Sequence, residues 1–130
     1  MMWFKKAKPA ETWEEAVVEP LGDIEAAHRI RTICRAAAGS AEKVGRPEGR
    51  SEKKLQIERD RYERAAKTAM EIAMKISDEL VRDSAVREIV SLCIRANNMK
   101  TARALFRAIH AGSIKDEVRR EHPMLADEPE

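Results

Sequence analysis

Three histidines, two cysteines and 23 carboxylates are the side chains of this 130-residue chain suited to metal or acid–base chemistry. His28, His110 and His122 lie far apart, and none adjoins a second ligand at metal-binding spacing. Cys34 and Cys93 have no Cys-x-x-Cys partner, so no zinc site is expected. Each cysteine sits among apolar residues at helical spacing, which reads as a buried reduced thiol rather than half of a disulfide. The carboxylates Glu14-Glu15, Asp78-Glu79 and Glu52 fall in helix caps or polar faces, where nothing desolvates a pair of them into an acid and a base. Ser40, Ser77, Ser84, Ser91 and Ser113 lack the glycine context of a nucleophile elbow, and the glycines after residue 38 precede no Gly-Lys-Ser/Thr. No catalytic residue, metal or cofactor is therefore expected, and the chain reads as non-enzymatic.

Recognition through charge is the chemistry that remains. With 25 Lys+Arg against 23 Asp+Glu the net charge is +2, so the two signs nearly cancel and any basic patch is local. No apolar run approaches the roughly 18 residues of a membrane span, and no apolar segment follows Lys5, Lys6 and Lys8 to make a secretory leader. These features lead us to expect a cytoplasmic protein. Aromatics are only 4% of residues and β-branched runs are sparse, which removes the usual core material of a β-sandwich or barrel.

The elements that would position those charges read as helices. Residues 1–22 are irregular, an arm or cap carrying Trp3, Phe4 and Trp13, with a short helix over 13–19 opened by Thr12 and Glu15. A helical domain is expected over 23–122. From Asp23, read as an N-cap, Ile24, Ala27, Ile30, Ile33, Cys34 and Ala37 mark one helix face ending near Gly39. Residues 39–51 contain three Gly and a Pro and read as a mobile polar loop. A long helix is expected over 51–76, charged in its first half, and Ser77-Asp78 breaks it. A third helix carries Val81, Ala85, Val86, Ile89, Leu92 and Cys93. Asn97-Asn98 turns the chain into a fourth helix with Ala102, Phe106 and Ile109 inward. A short fifth helix restarts at Ser113, and 123–130 read as a disordered acidic tail.

Shifting the chain by 33 residues aligns Lys67, Thr68, Ala69, Ile76, Asp83 and Arg87 with Lys100, Thr101, Ala102, Ile109, Asp116 and Arg120. A shift of 59 superposes Ala26, Ile30, Ile33, Cys34 and Ala37 on Ala85, Ile89, Leu92, Cys93 and Ala96. A repeated helical hairpin, with an insertion in its first copy, explains both shifts. The stretch from Ala96 to Ile109 resembles the second half of a tetratricopeptide repeat: Asn97, Met99, Ala102, Phe106 and Ile109 stand at that family's turn, apolar, alanine, aromatic and apolar positions. The family's usual Trp, Gly and Tyr are missing from the first half. The resemblance implies an all-α fold of antiparallel hairpins, a short solenoid or bundle of about five core helices.

It also implies a groove lined by the first helix of each pair, placing His28, Thr32 and Arg35 beside Arg87, Ser91 and Arg95. Such a face suits a polar or acidic segment of another protein. So short a stack needs covered ends, supplied by the N-terminal arm or by a second copy of the chain. The rival reading is a helix-turn-helix over 86–105, with Lys100, Arg103 and Arg107 meeting DNA. It conflicts with Ile94 in the turn.

Overall fold

The computed structural model describes residues 11–14 and 21–125. The helix expected over 13–19 falls largely outside them, as do Trp3, Phe4 and the tail from residue 126. Five helices follow in order: α1 (Asp23–Gly45), α2 (Glu52–Ala73), α3 (Glu79–Arg95), α4 (Met99–Ala108) and α5 (Gly112–Glu121), with 3-10 turns at Thr12–Glu14 and Pro123–Leu125. The fold is all-α, with no strand among the described residues.

Side chains at the breaks start the helices. Ser51 accepts the N–H of Lys54 at 3.2 Å, Asp78 that of Val81 at 2.9 Å, and Asn98 that of Thr101 at 3.4 Å. Asn97 takes the left-handed conformation, φ 59°, that lets α4 turn back beneath α3. Asp23 is not a cap as expected: Gly22 takes that position, and the Asp23 carboxylate crosses to the backbone N–H groups of Ser77 and Asp78 at 3.0 and 2.9 Å. Those two bonds hold its carboxyl below the usual carboxylate range.

The loop expected over 39–51 is mostly helix. Helix α1 passes through Gly39 to Gly45, and only the next few residues connect it to α2. Ala37, Ser40, Ala41 and the half-buried Val44 continue the inward stripe, and closing the hairpin outweighs the roughly 1 kcal/mol that a helical glycine costs. Of the three glycines only Gly49, at φ +82°, serves a turn. Gly45 is required for another reason: a Cβ there would stand 2.2 Å from the carbonyl oxygen of Arg95. The charged start of α2 is largely exposed, and part of it pairs with this extension, the two outcomes its composition allows. Glu58 accepts the buried Ser40 hydroxyl at 2.7 Å and Lys43 at 3.3 Å, while Arg61 reaches Ser40 at 3.0 Å and pairs with Glu11. The Ser40 bond, ahead of the neighbouring cations, lowers the Glu58 carboxyl.

Helices α1, α3 and α5 run parallel. Arg31 of α1 meets Glu88 of α3 at 3.8 Å and Glu42 meets Arg95 further along at 3.8 Å; Asp83, Arg87 and Ser91 of α3 meet in turn the start, middle and end of α5. Helices α2 and α4 return between them. Ile30, Ile33, Ala37, Tyr62, Ala65, Ala69, Ile89, Val90 and Cys93 form the centre of the core. Ile89, Leu92, Phe106 and Ile109 are buried, as the periodicity required. Trp13, in the short turn Thr12–Glu14, is buried against α1 and α2 beneath the guanidinium of Arg61. At the other end Leu125 is 2% exposed, so the ordered chain extends past Pro123.

Candidate partner-binding groove

Where α1 and α3 lie side by side, their N-terminal halves leave an open groove of about 740 Å³. Leu21, Ile24, Ala27 and Val81 supply its apolar surface, and Glu25, His28, Arg31, Thr32 and Ser84 its polar edge. Ile24, expected inward, is 73% exposed. At 3.6 residues per turn it stands about two-fifths of a turn from the stripe of Ala26, Ile30, Ile33 and Ala37, nearly on the opposite side of the helix, so its side chain opens onto solvent. Leu80, at the start of α3, is 56% exposed. Arg29 and Thr12 line the groove as well, Arg29 donating to the carbonyl of Thr12 at 3.2 Å.

The six residues expected to face a partner divide into two sets. His28 and Thr32 line the groove, with Thr32 also donating to the His28 carbonyl at 3.0 Å, and Arg35 is exposed further along α1. Arg87 and Ser91 instead bond α5, while Arg95 stays exposed and lines a separate hollow with Ser91, Ile94 and His122. Arg87 clamps α5 through Glu117 at 2.6 Å and Glu121 at 2.5 Å, contacts that raise its own affinity for the proton and depress that of Glu121. Ser91 bonds His122 at 3.2 Å, and Arg95 pairs loosely with Glu42. The sequence pattern placed Arg87 on the right helix but gave no sign of which neighbour it serves. Arg31 and Val81 were missed because each lies at the margin of the expected face, whereas Ser84, three residues before Arg87 and seven before Ser91, stands on that face itself.

The Ser91–His122 pair has the spacing of a nucleophile and base, but its surroundings do not suit that work. Glu121, beside the imidazole in sequence, is committed to Arg87, and Ser91 lies mid-helix where the backbone N–H groups are spent on helix bonds rather than aimed at an oxyanion. Burial, more than nearby charge, lowers the His122 pKa. Cys34 and Cys93 are both buried, and desolvation pushes the Cys34 thiol up to about 12, well away from the reactive thiolate. His110 lies elsewhere, its ring Nδ1 3.4 Å from Glu79.

Lys100, Arg103 and Arg107 lie along one flank of α4. Their helix returns antiparallel along α3: the N–H of Asn98 bonds the Cys93 carbonyl at 2.8 Å, and the N–H of His110 reaches Asp83 near the start of α3. A helix-turn-helix needs its two helices to cross steeply, a geometry that this return does not provide. Among the described residues, no helix is long and apolar enough to cross a membrane. Comparison with protein-family models, with curated proteins and with solved structures returned no match.

Proposed function

We propose that this chain is a non-catalytic scaffold that binds a polar or acidic segment of another protein in the groove between α1 and α3. The observation that carries this reading is the exposed Ile24, set among Leu21, Ala27 and Val81 and edged by His28, Arg31, Thr32 and Ser84. Apolar surface ringed by polar side chains gives affinity at the centre and orientation at the rim. The parallel order of α1, α3 and α5, with α2 and α4 returning between them, supports a tetratricopeptide-like hairpin stack, whose first helices form such a face. Arg29 and Arg31 are the cations that line the groove, beside one carboxylate, Glu25, and Arg35 is exposed further along α1. The Arg31–Glu88 contact, 3.8 Å long and more than two-fifths exposed on both sides, is weak enough to yield to a better carboxylate.

Capture of partners from the native host, followed by mass spectrometry, tests the reading. Ile24→Glu and Arg35→Glu should each lose the partner while the helical circular dichroism stays unchanged, because both side chains are exposed. Capture that survives both substitutions overturns the groove. The DNA-binding rival makes a different demand: sequence-specific, submicromolar duplex binding at physiological salt that Arg103→Glu abolishes.

A further inference from the structure

Helices α3 and α5 begin 33 residues apart, at Glu79 and Gly112, and the residues fifth and ninth in each are the same: Asp83 and Arg87 in α3, Asp116 and Arg120 in α5. In α3 these two seat the next helix. Asp83 accepts the N–H groups of His110 and Ala111 at 3.0 and 2.8 Å, fixing the turn that enters α5, and Arg87 holds Glu117 and Glu121, four residues apart on its side. In α5 the same pair is unburied. Asp116 is 62% exposed and touches only Arg119 of its own helix, at 3.0 Å, and Arg120 is exposed.

The sector of α5 that carries Asp116 and Arg120 lies opposite the buried Ile114 and Val118, and is separate from the side on which Glu117 and Glu121 face α3. It therefore points out of the end of the stack. In the same register the buried Val86 of α3 corresponds to Arg119, so this end offers charge where α3 offers an apolar contact. Arg119 is engaged by Asp116 and by the Phe106 ring, which leaves Arg120 as the cation of this face, and Arg120 selects an occupant that presents carboxylates to it, held by ion pairs and captured N–H groups rather than by a permanent apolar seam.

We propose that the outer face of α5 is a docking site for a helix of a partner protein that presents two carboxylates four residues apart. The helix lies parallel to α5, with the N–H groups of its entering turn on Asp116 and two carboxylates four residues apart on Arg120. This is the chemistry by which α5 itself sits on α3, and it does not depend on the groove between α1 and α3.

The probe is an acetylated, amidated peptide of residues 108–123, which carries the entering turn, Glu117 and Glu121. Titrated into the full chain labelled with 15N, it should shift saturably the amides of residues 115–121. Arg120→Glu should weaken it by about tenfold or more, as loss of a charge pair at an interface does, and Arg120→Lys should retain most of the binding. A probe with Glu117→Lys and Glu121→Lys should recover affinity for the Arg120→Glu chain. No saturable shift up to millimolar peptide, binding indifferent to Arg120→Glu, or shifts centred on Asp83 and Arg87 through exchange with the chain's own α5 would each overturn the proposal.

Discussion

Asp83, 1% exposed within α3, accepts the backbone N–H of Ala111 at 2.8 Å and so holds the turn into α5 against the body of the protein. Asp23 of α1 holds the turn into α3 by the same pair of bonds, to Ser77 and Asp78. Those captured positions, 77 and 78 against 110 and 111, are again 33 residues apart. A carboxylate thus joins each parallel helix to the next. Asp83→Ala should strand two partly buried donors and cost about 2–3 kcal/mol in urea denaturation, since an unsatisfied buried group costs roughly 1–3 kcal/mol. Asp23→Ala, at an exposed bond pair, should cost clearly less.

Phe106 is buried between α4 and α5, with Lys115 and Arg119 each 5.4 Å from its ring centroid. Phe106→Ala should lower stability by about 3–5 kcal/mol, the range for emptying a packed aromatic site. Loss of less than about 1 kcal/mol would place the ring outside the core, in conflict with the repeat register.

Much of this fold was legible in the residues themselves. The helix-starting side chains at Ser51, Asp78 and Asn98 and the inward stripes of α3 and α4 follow from local chemistry and periodicity alone. The extension of α1 through Gly39 was not, because its stripe of Ala37, Ser40 and Ala41 is nearly devoid of large apolar residues, and what stabilises it is α2, distant in sequence. The groove was half legible. His28 and Thr32 stood on the correct face, whereas the commitment of Arg87 to Glu117 and Glu121 depends on the path of α5, which no local pattern encodes.

Gly45 offers a sharp check on that extension. Gly45→Ala, which ordinarily favours a helix by about 1 kcal/mol, should instead destabilise the protein because its Cβ meets the Arg95 carbonyl. Gly39→Ala, with open space around its Cβ, should stabilise by up to about 1 kcal/mol. Thermal melts of the two variants moving in the same direction would contradict the close approach of α1 to the end of α3.

His122 links the end of α5 to Ser91, and burial lowers its pKa below the ordinary 6.5, with Glu121 opposing and Arg87 adding to the shift. The unfolded chain therefore binds the proton more readily than the folded one. This contribution to stability is complete above the unfolded pKa and is lost as pH falls through 6.5 towards the lower folded value. His122→Gln should flatten the stability profile as pH falls below the ordinary 6.5, measured by denaturation across neutral and mildly acidic pH. An unchanged slope would place His122 in solvent.

Site-specific photocrosslinking tests the groove most directly. With a photoreactive residue in place of Thr32, at the edge between α1 and α3, irradiation in the native host should give a discrete protein adduct. Ile24→Glu should abolish that adduct, and the same label in place of Lys100 on α4 should give none. No adduct from position 32, with crosslinking to DNA from position 100, would contradict the account.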